Sequence, residues 1–103
     1  MKIDFSKIIT DLSGKPIRKD AETDTCLSHV CTEALLSIYP GEEQLPRDEK
    51  LKRGKLAEKI YGQSILDVTV AEVAMLQTLI GKAYGPLIVT KTEPMLEGED
   101  GDS

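Results

Sequence analysis

Tryptophan is absent from this chain of 103 residues, phenylalanine and histidine occur once each, and cysteine occurs twice. No apolar run approaches the ~18 residues of a membrane-spanning helix, and Met1-Lys2-Ile3-Asp4 lacks the basic and then apolar layout of a signal peptide. A cytoplasmic protein with reduced thiols is expected. With so few aromatics the core has to be built from Leu, Ile, Val and Ala, and the walls of a deep small-molecule pocket cannot be spared from it. No cofactor is therefore expected. Cations are also short, since 13 Lys and Arg face 18 Asp and Glu for a net charge of −5. That balance argues against a protein whose task is to coat nucleic acid, because such work needs excess cations to displace counterions from phosphates. A chain of this length can bury one core. Residues 1–96 read as a single compact domain, and 97–103, with Glu97, Glu99, Asp100 and Asp102 and no cation, as an acidic disordered tail.

Along the chain, Lys2 to Thr10 alternates Ile3 and Phe5 with Asp4 and Ser6, as a half-buried strand does. Asp11-Leu12-Ser13-Gly14 supplies turn residues, and Lys15-Pro16-Ile17 returns as an edge strand, so an N-terminal β-hairpin is expected. Arg18 to Asp24 is a polar loop. Thr25 is placed to cap a helix whose apolar stripe is Leu27, Val30, Cys31, Ala34, Leu35 and Ile38, ended by Pro40-Gly41. Pro46 suits the first position of a second helix, Arg47 to Tyr61, with Asp48 and Glu49 at the positive end of its dipole and Leu51, Leu56, Ala57, Ile60 and Tyr61 as its apolar residues. Thr69-Val70-Ala71-Glu72 has the form of a capping box opening a third helix to about Tyr84, which is expected to lie centrally and to use Gly81 for a close crossing. Leu87-Ile88-Val89 fits either a short strand or the first turn of a last helix opened by Pro86; the helix is favoured, with Pro94 stopping or kinking it. The fold class is α+β, mostly α: an N-terminal hairpin followed by three or four packed helices.

Chemistry-bearing residues cluster only at Cys26-Leu27-Ser28-His29-Val30-Cys31. On one helix these three ligand types point in different directions, so they cannot grip a single ion tetrahedrally, and no metal site is expected. Cys26 and His29 could touch at i and i+3, but neither a third residue nor a Gly-rich oxyanion cradle accompanies them, and no catalytic residue is assigned. Cys31 reads as core and His29 as surface. Gly14-Lys15-Pro16 is not a phosphate loop, because Pro and a strand follow where Ser or Thr and a helix are required. The acidic pairs Glu42-Glu43 and Asp48-Glu49 read as solvated charge. The best binding candidate is the face of Lys52, Lys55 and Lys59, with Arg53 nearby, which lies within an arc of ~60° at ~100° per residue. Like charges so arranged repel unless something anionic lies across them, an acidic protein, the acidic tail or nucleic acid, although lysines on an exposed helix face read first as solvated charge. Leu87, Ile88 and Val89 join them as partner-binding candidates, since so apolar a segment must be covered by its own domain, a twin or a partner.

The succession Asp11-Leu12-Ser13-Gly14-Lys15-Pro16-Ile17, Ala34-Leu35-Leu36, Lys50-Leu51-Lys52-Arg53 with Leu56-Ala57-Glu58-Lys59-Ile60, and Thr69-Val70-Ala71-Glu72 with Leu79-Ile80-Gly81-Lys82-Ala83-Tyr84-Gly85-Pro86-Leu87 resembles small uncharacterised proteins of tailed phages and prophages. The resemblance covers nearly the whole chain except the tail, and Pro94 departs from the helical ending of such proteins. It implies a non-enzymatic protein-binding module working in the cytoplasm of a bacterial host. An accessory to virion (tail) assembly, such as a chaperone for a phage structural protein, is the leading expectation. A small inhibitor of a host transcription or defence complex is the alternative, and a nucleic-acid-binding regulator comes third. Oligomeric state stays open, a homodimer included.

Overall fold

Ile3 in the first strand and Phe5 just after it are both fully buried, and their neighbours Lys2 and Ser6 face solvent. The computed structural model describes residues 1–18 and 20–97. Among them the elements run β1 (Lys2–Asp4), α1 (Leu27–Leu36), α2 (Arg47–Ile60), β2 (Ile65–Asp67), α3 (Val70–Ala83) and α4 (Pro86–Leu96). The fold is α+β and mostly helical. The expected reversal over Asp11–Gly14 is present. The Asp11 carboxylate accepts from the Ser13 amide at 2.9 Å and the Lys15 amide at 3.1 Å, Gly14 takes φ of 90°, and Thr10 comes opposite Pro16.

The ladder of β1 was not legible in advance. It pairs antiparallel with β2, in the register Lys2↔Asp67, Ile3↔Leu66 and Asp4↔Ile65. The N-terminal ammonium closes the end of this pair on Asp67 at 3.1 Å and on the Val68 carbonyl at 2.9 Å. Between β1 and α1 the chain coils so that three backbone bonds form a ring. The Ile9 amide donates to the Thr25 carbonyl, Thr25 to Ile17, and Ile17 to Ile9, at 2.9, 2.7 and 2.9 Å. A second carboxylate turn, with Asp20 accepting from the Glu22 and Thr23 amides, brings the polar loop round to meet Arg18 across from Asp24. Buried amides thereby find partners without a regular sheet.

Helix α1 buries Leu27, Val30, Cys31, Ala34 and Leu35 as the stripe requires. Its N-cap is Cys26, one residue later than the expected Thr25, and the imidazole of His29 reaches back to accept from the Cys26 amide at 3.4 Å. The helix ends at Leu36, well before Pro40-Gly41, because two side chains take over its last carbonyls. Ser37 Oγ donates to Glu33 O at 2.8 Å and Tyr39 Oη to Ala34 O at 2.6 Å. Ile38 therefore falls outside the stripe and is 60% exposed, a correction to its expected place in the core.

Helix α3 begins as its capping box dictates. Thr69 Oγ1 accepts from the Glu72 amide at 3.0 Å and Glu72 Oε1 from the Thr69 amide at 2.9 Å. It packs between α1 and α4, while α1 packs between α2 and α3, so two helices share the interior. Gly81 takes no part in that packing, since a Cβ built there meets nothing within 4 Å. The run Leu87–Val89 is helical, opened by Gly85 and Pro86. Pro94 does not stop α4, which continues through it to the buried Leu96. Only Met95 and Leu96 follow the proline within the helix, so the single backbone bond it forfeits falls where the ladder is ending anyway. Of the expected acidic tail, Glu97 is the C-cap of α4, and 98–103 lie outside the described residues.

Candidate functional site

Helix α2 has three flanks with different fates. Leu56, Ala57 and Ile60 face the core, and Arg53 turns inward beside them. The Arg53 guanidinium grips Glu42 bidentately at 2.9 and 3.0 Å, with the two side chains only 11% and 13% exposed. Lys82 of α3 adds a third contact to the same carboxylate at 3.3 Å, and its ammonium lies 5.7 Å from the centroid of the Tyr39 ring. The Arg53 hydrogen bonds, helped by Lys82, hold the Glu42 carboxyl down to about 2 despite its desolvation. This clasp ties the connection between α1 and α2 onto α3. It corrects two sequence readings, since Glu42 is not solvated charge and Arg53 does not belong to the exposed basic face. Arg53 Nε, buried, finds no acceptor.

The three lysines proposed as a contact face do share a flank, and two of them have partners. Lys52 pairs with Glu49 at 3.4 Å, one helical turn away, and Lys59 with Glu72 of α3 at 3.2 Å. Glu72 thus serves as both capping residue and counter-ion, and its carboxyl is held below the usual range, chiefly by the Thr69 amide and further by Lys59. Lys55 makes no ion pair among the described residues. The mutual repulsion expected of this face is therefore largely relieved within the chain. A shallow cleft of about 370 Å³ lies along it, with Leu56 and Met75 as its apolar floor.

The third flank of α2 is the one that sequence reasoning missed. Leu51 and Tyr61, expected in the core stripe, are 43% and 69% exposed, and Leu36 of α1 is 65% exposed beside them. With Thr32, Gly54 and Ala57 they enclose an open cleft of about 610 Å³ between α1 and α2, rimmed by Lys50, Lys55 and Glu58. The signal that could have found it is the spacing Leu51, Gly54, Glu58, Tyr61. That row runs at three and four along one flank, yet lies off the Leu56, Ala57, Ile60 face.

The remaining candidates lie elsewhere. Leu87, Ile88 and Val89 sit on α4, which packs on α3 and β1, and all three are half-buried, Ile88 and Val89 against the core of their own domain. Cys31 is wholly buried, and burial pushes its thiol up to about 12, which leaves it protonated and inert at neutral pH. Cys26 is half-buried at the start of α1, and the Nδ1 lone pair of His29 is taken up by the Cys26 amide, not by its sulfur. Among the described residues no three His, Cys, Asp or Glu side chains stand together as a metal ion requires, and no helix is long and apolar enough to cross a membrane. No family model, curated protein or solved structure matches the chain.

Proposed function

We propose that this chain is a non-enzymatic protein-binding module of the bacterial cytoplasm that docks its partner on α2 and, in keeping with the phage resemblance, serves virion assembly. The observation that carries the reading is the cluster of Leu36, Leu51 and Tyr61, three large apolar side chains exposed together around one cleft. Single exposed hydrophobes are ordinary, whereas a contiguous patch with a charged rim is what interaction surfaces look like. Among the described residues the nucleophile, base and acid side chains offer no comparable convergence.

Lys50 and Lys55 give the cleanest test, because neither is ion-paired among the described residues and their reversal leaves the Lys59–Glu72 contact between α2 and α3 untouched. Affinity isolation of the full chain from phage-infected cells, beside Lys50→Glu/Lys55→Glu, should recover a phage structural protein with the unaltered chain and lose it with the variant. Both chains should unfold at the same temperature. Equal recovery by the two would defeat the reading, and a host polymerase or defence complex in place of a phage protein would overturn the assembly role.

A further inference from the structure

Glycine is the poorest helix former short of proline, yet Gly54 stands in the middle of α2, seven residues after Arg47 and six before Ile60. Two ordinary reasons for a glycine are missing. Gly14, Gly41 and Gly62 take positive φ, and Gly54 does not. A Cβ built on Gly54 meets nothing within 4 Å, so no neighbour among the described residues needs the room either. Gly81 has the same freedom but borders none of the clefts described above, whereas Gly54 lies in the floor of the α1–α2 cleft, between Leu51 and Tyr61. A missing side chain at the floor of an open apolar cleft lets a foreign backbone approach closely.

The cleft has a length and a sign. Its lining runs along α2 from Lys50 to Tyr61, which at 1.5 Å per residue is ~16 Å, about three turns of a second helix. The walls are two helices, the geometry in which an amphipathic helix lays an i, i+3/i+4, i+7 row of apolar residues. Lys50 and Lys55 outnumber Glu58 on the rim, and all three belong to the one helix of this acidic chain with a cationic excess, six Lys and Arg to three Asp and Glu. A second copy of the chain fits poorly, since it would bring a net charge of −5 against −5 and present its own cationic α2 to the same rim.

We propose that the α1–α2 cleft receives one amphipathic helix of a partner protein, about three turns long, apolar on its inward face and acidic along its flanks, with Gly54 at the point of closest approach. The proposal rests on the protein-binding reading above and names the chemistry of the partner.

The probe is a fluorescein-labelled synthetic helix with a row of leucines at that spacing and glutamates on both flanks, compared with a twin carrying lysines in their place. Both are titrated against the full chain by anisotropy, and with isotope-labelled protein by amide chemical shifts. The acidic helix should bind at least tenfold tighter than the basic one and should shift the amides of Leu36, Leu51, Gly54 and Tyr61. Gly54→Trp, and Gly54→Gln as a second way of filling the floor, should each weaken it tenfold or more with no fall in the unfolding temperature. Equal affinity for the two helices, shifts confined to another surface, or undiminished binding by both Gly54 variants would overturn the proposal. So would a self-associating chain in sedimentation that Gly54→Trp turns monomeric, because the occupant would then be a second copy. A phage protein still captured by Gly54→Trp but lost with Lys50→Glu/Lys55→Glu would defeat the Gly54 seat alone and leave the protein-binding reading standing. Loss of capture by the unaltered chain would defeat both.

Discussion

Tyr39→Phe isolates one hydrogen bond on which the junction of α1, α2 and α3 depends. The ring is buried in the core cluster, and its hydroxyl donates to Ala34 O at 2.6 Å with Leu79 O further off at 3.4 Å. Ala34 belongs to the last turn of α1, whose carbonyls have no donor within the helix, and the residue itself is fully buried. Removing the hydroxyl leaves the ring and its packing in place but strands that carbonyl away from water. An unsatisfied buried acceptor costs ~1–3 kcal/mol, against ~1 for a hydrogen bond whose partners regain solvent. Taking ~2 kcal/mol, and ~4–8 °C per kcal/mol for a domain of this size, the unfolding midpoint should fall by ~8–16 °C. Thermal unfolding followed by far-ultraviolet circular dichroism measures this, with urea unfolding giving the free energy directly. Tyr61→Phe is the internal control, because that ring is 69% exposed and its hydroxyl has no partner among the described residues. A loss of less than ~0.5 kcal/mol for Tyr39→Phe would mean that water or a neighbour satisfies Ala34 O, and the account of why α1 stops at Leu36 would be wrong.

Three further outcomes follow from particular contacts. Glu42 is charged in both folded and unfolded chains above pH ~4.5, and as the pH falls the unfolded carboxylate takes up its proton first, so the stabilisation from Arg53 drains away until the pH passes the folded value of about 2. Glu42→Gln should be less stable at neutral pH and should show a shallower loss between those limits in acid titration of unfolding; an unchanged slope would refute the clasp. Thr69→Ala removes one half of the α3 capping box and should cost ~1 kcal/mol in urea unfolding, whereas Thr69→Ser should cost little. Iodoacetamide at mildly alkaline pH should label Cys26 in the folded chain and reach Cys31 only on unfolding, as peptide mass mapping would reveal; rapid labelling of Cys31 would contradict its burial.

Elements governed by neighbouring residues were legible in the sequence. The Thr69–Glu72 box, the Asp11–Gly14 reversal, the stop at Gly62 and the opening of α4 at Pro86 each depend on groups within four positions, and each stands where the residues put it. What was hidden depends on distance along the chain. β1 pairs with a segment more than sixty positions away, and Ile65-Leu66-Asp67 is too short and too weakly alternating to announce itself as a strand. The end of α1 was misread for a related reason. Pro40-Gly41 is a strong local stop, but the Tyr39 hydroxyl overrides it by folding back on Ala34, and that contact exists only once α3 supplies the other wall.

The candidate site divides along the same line. Lys52, Lys55 and Lys59 share a flank because helical geometry requires it, so their placement could be read from spacing alone. Their energetics could not, since the counter-ion of Lys59 comes from α3 and Arg53, the charge next to Lys52, is drawn inward by Glu42. The α1–α2 cleft was hidden because Leu51 and Tyr61 look like core residues by type, and an apolar residue in a helix is assigned inward by default. Only three-dimensional packing reveals that Leu56, Ala57 and Ile60 already fill the interior side of α2. With the core side of α2 filled, Leu51 and the C-cap Tyr61 are left over on a second row shared with Gly54 and Glu58. On a chain this small, leaving Leu36, Leu51 and Tyr61 in water forgoes burial worth ~25 cal/mol for each Å² of apolar surface, and Gly54 in their midst adds ~1 kcal/mol of lost helix propensity. Both costs fall on the same flank of the same helix, and a partner that covers the row would recover the first and make use of the second.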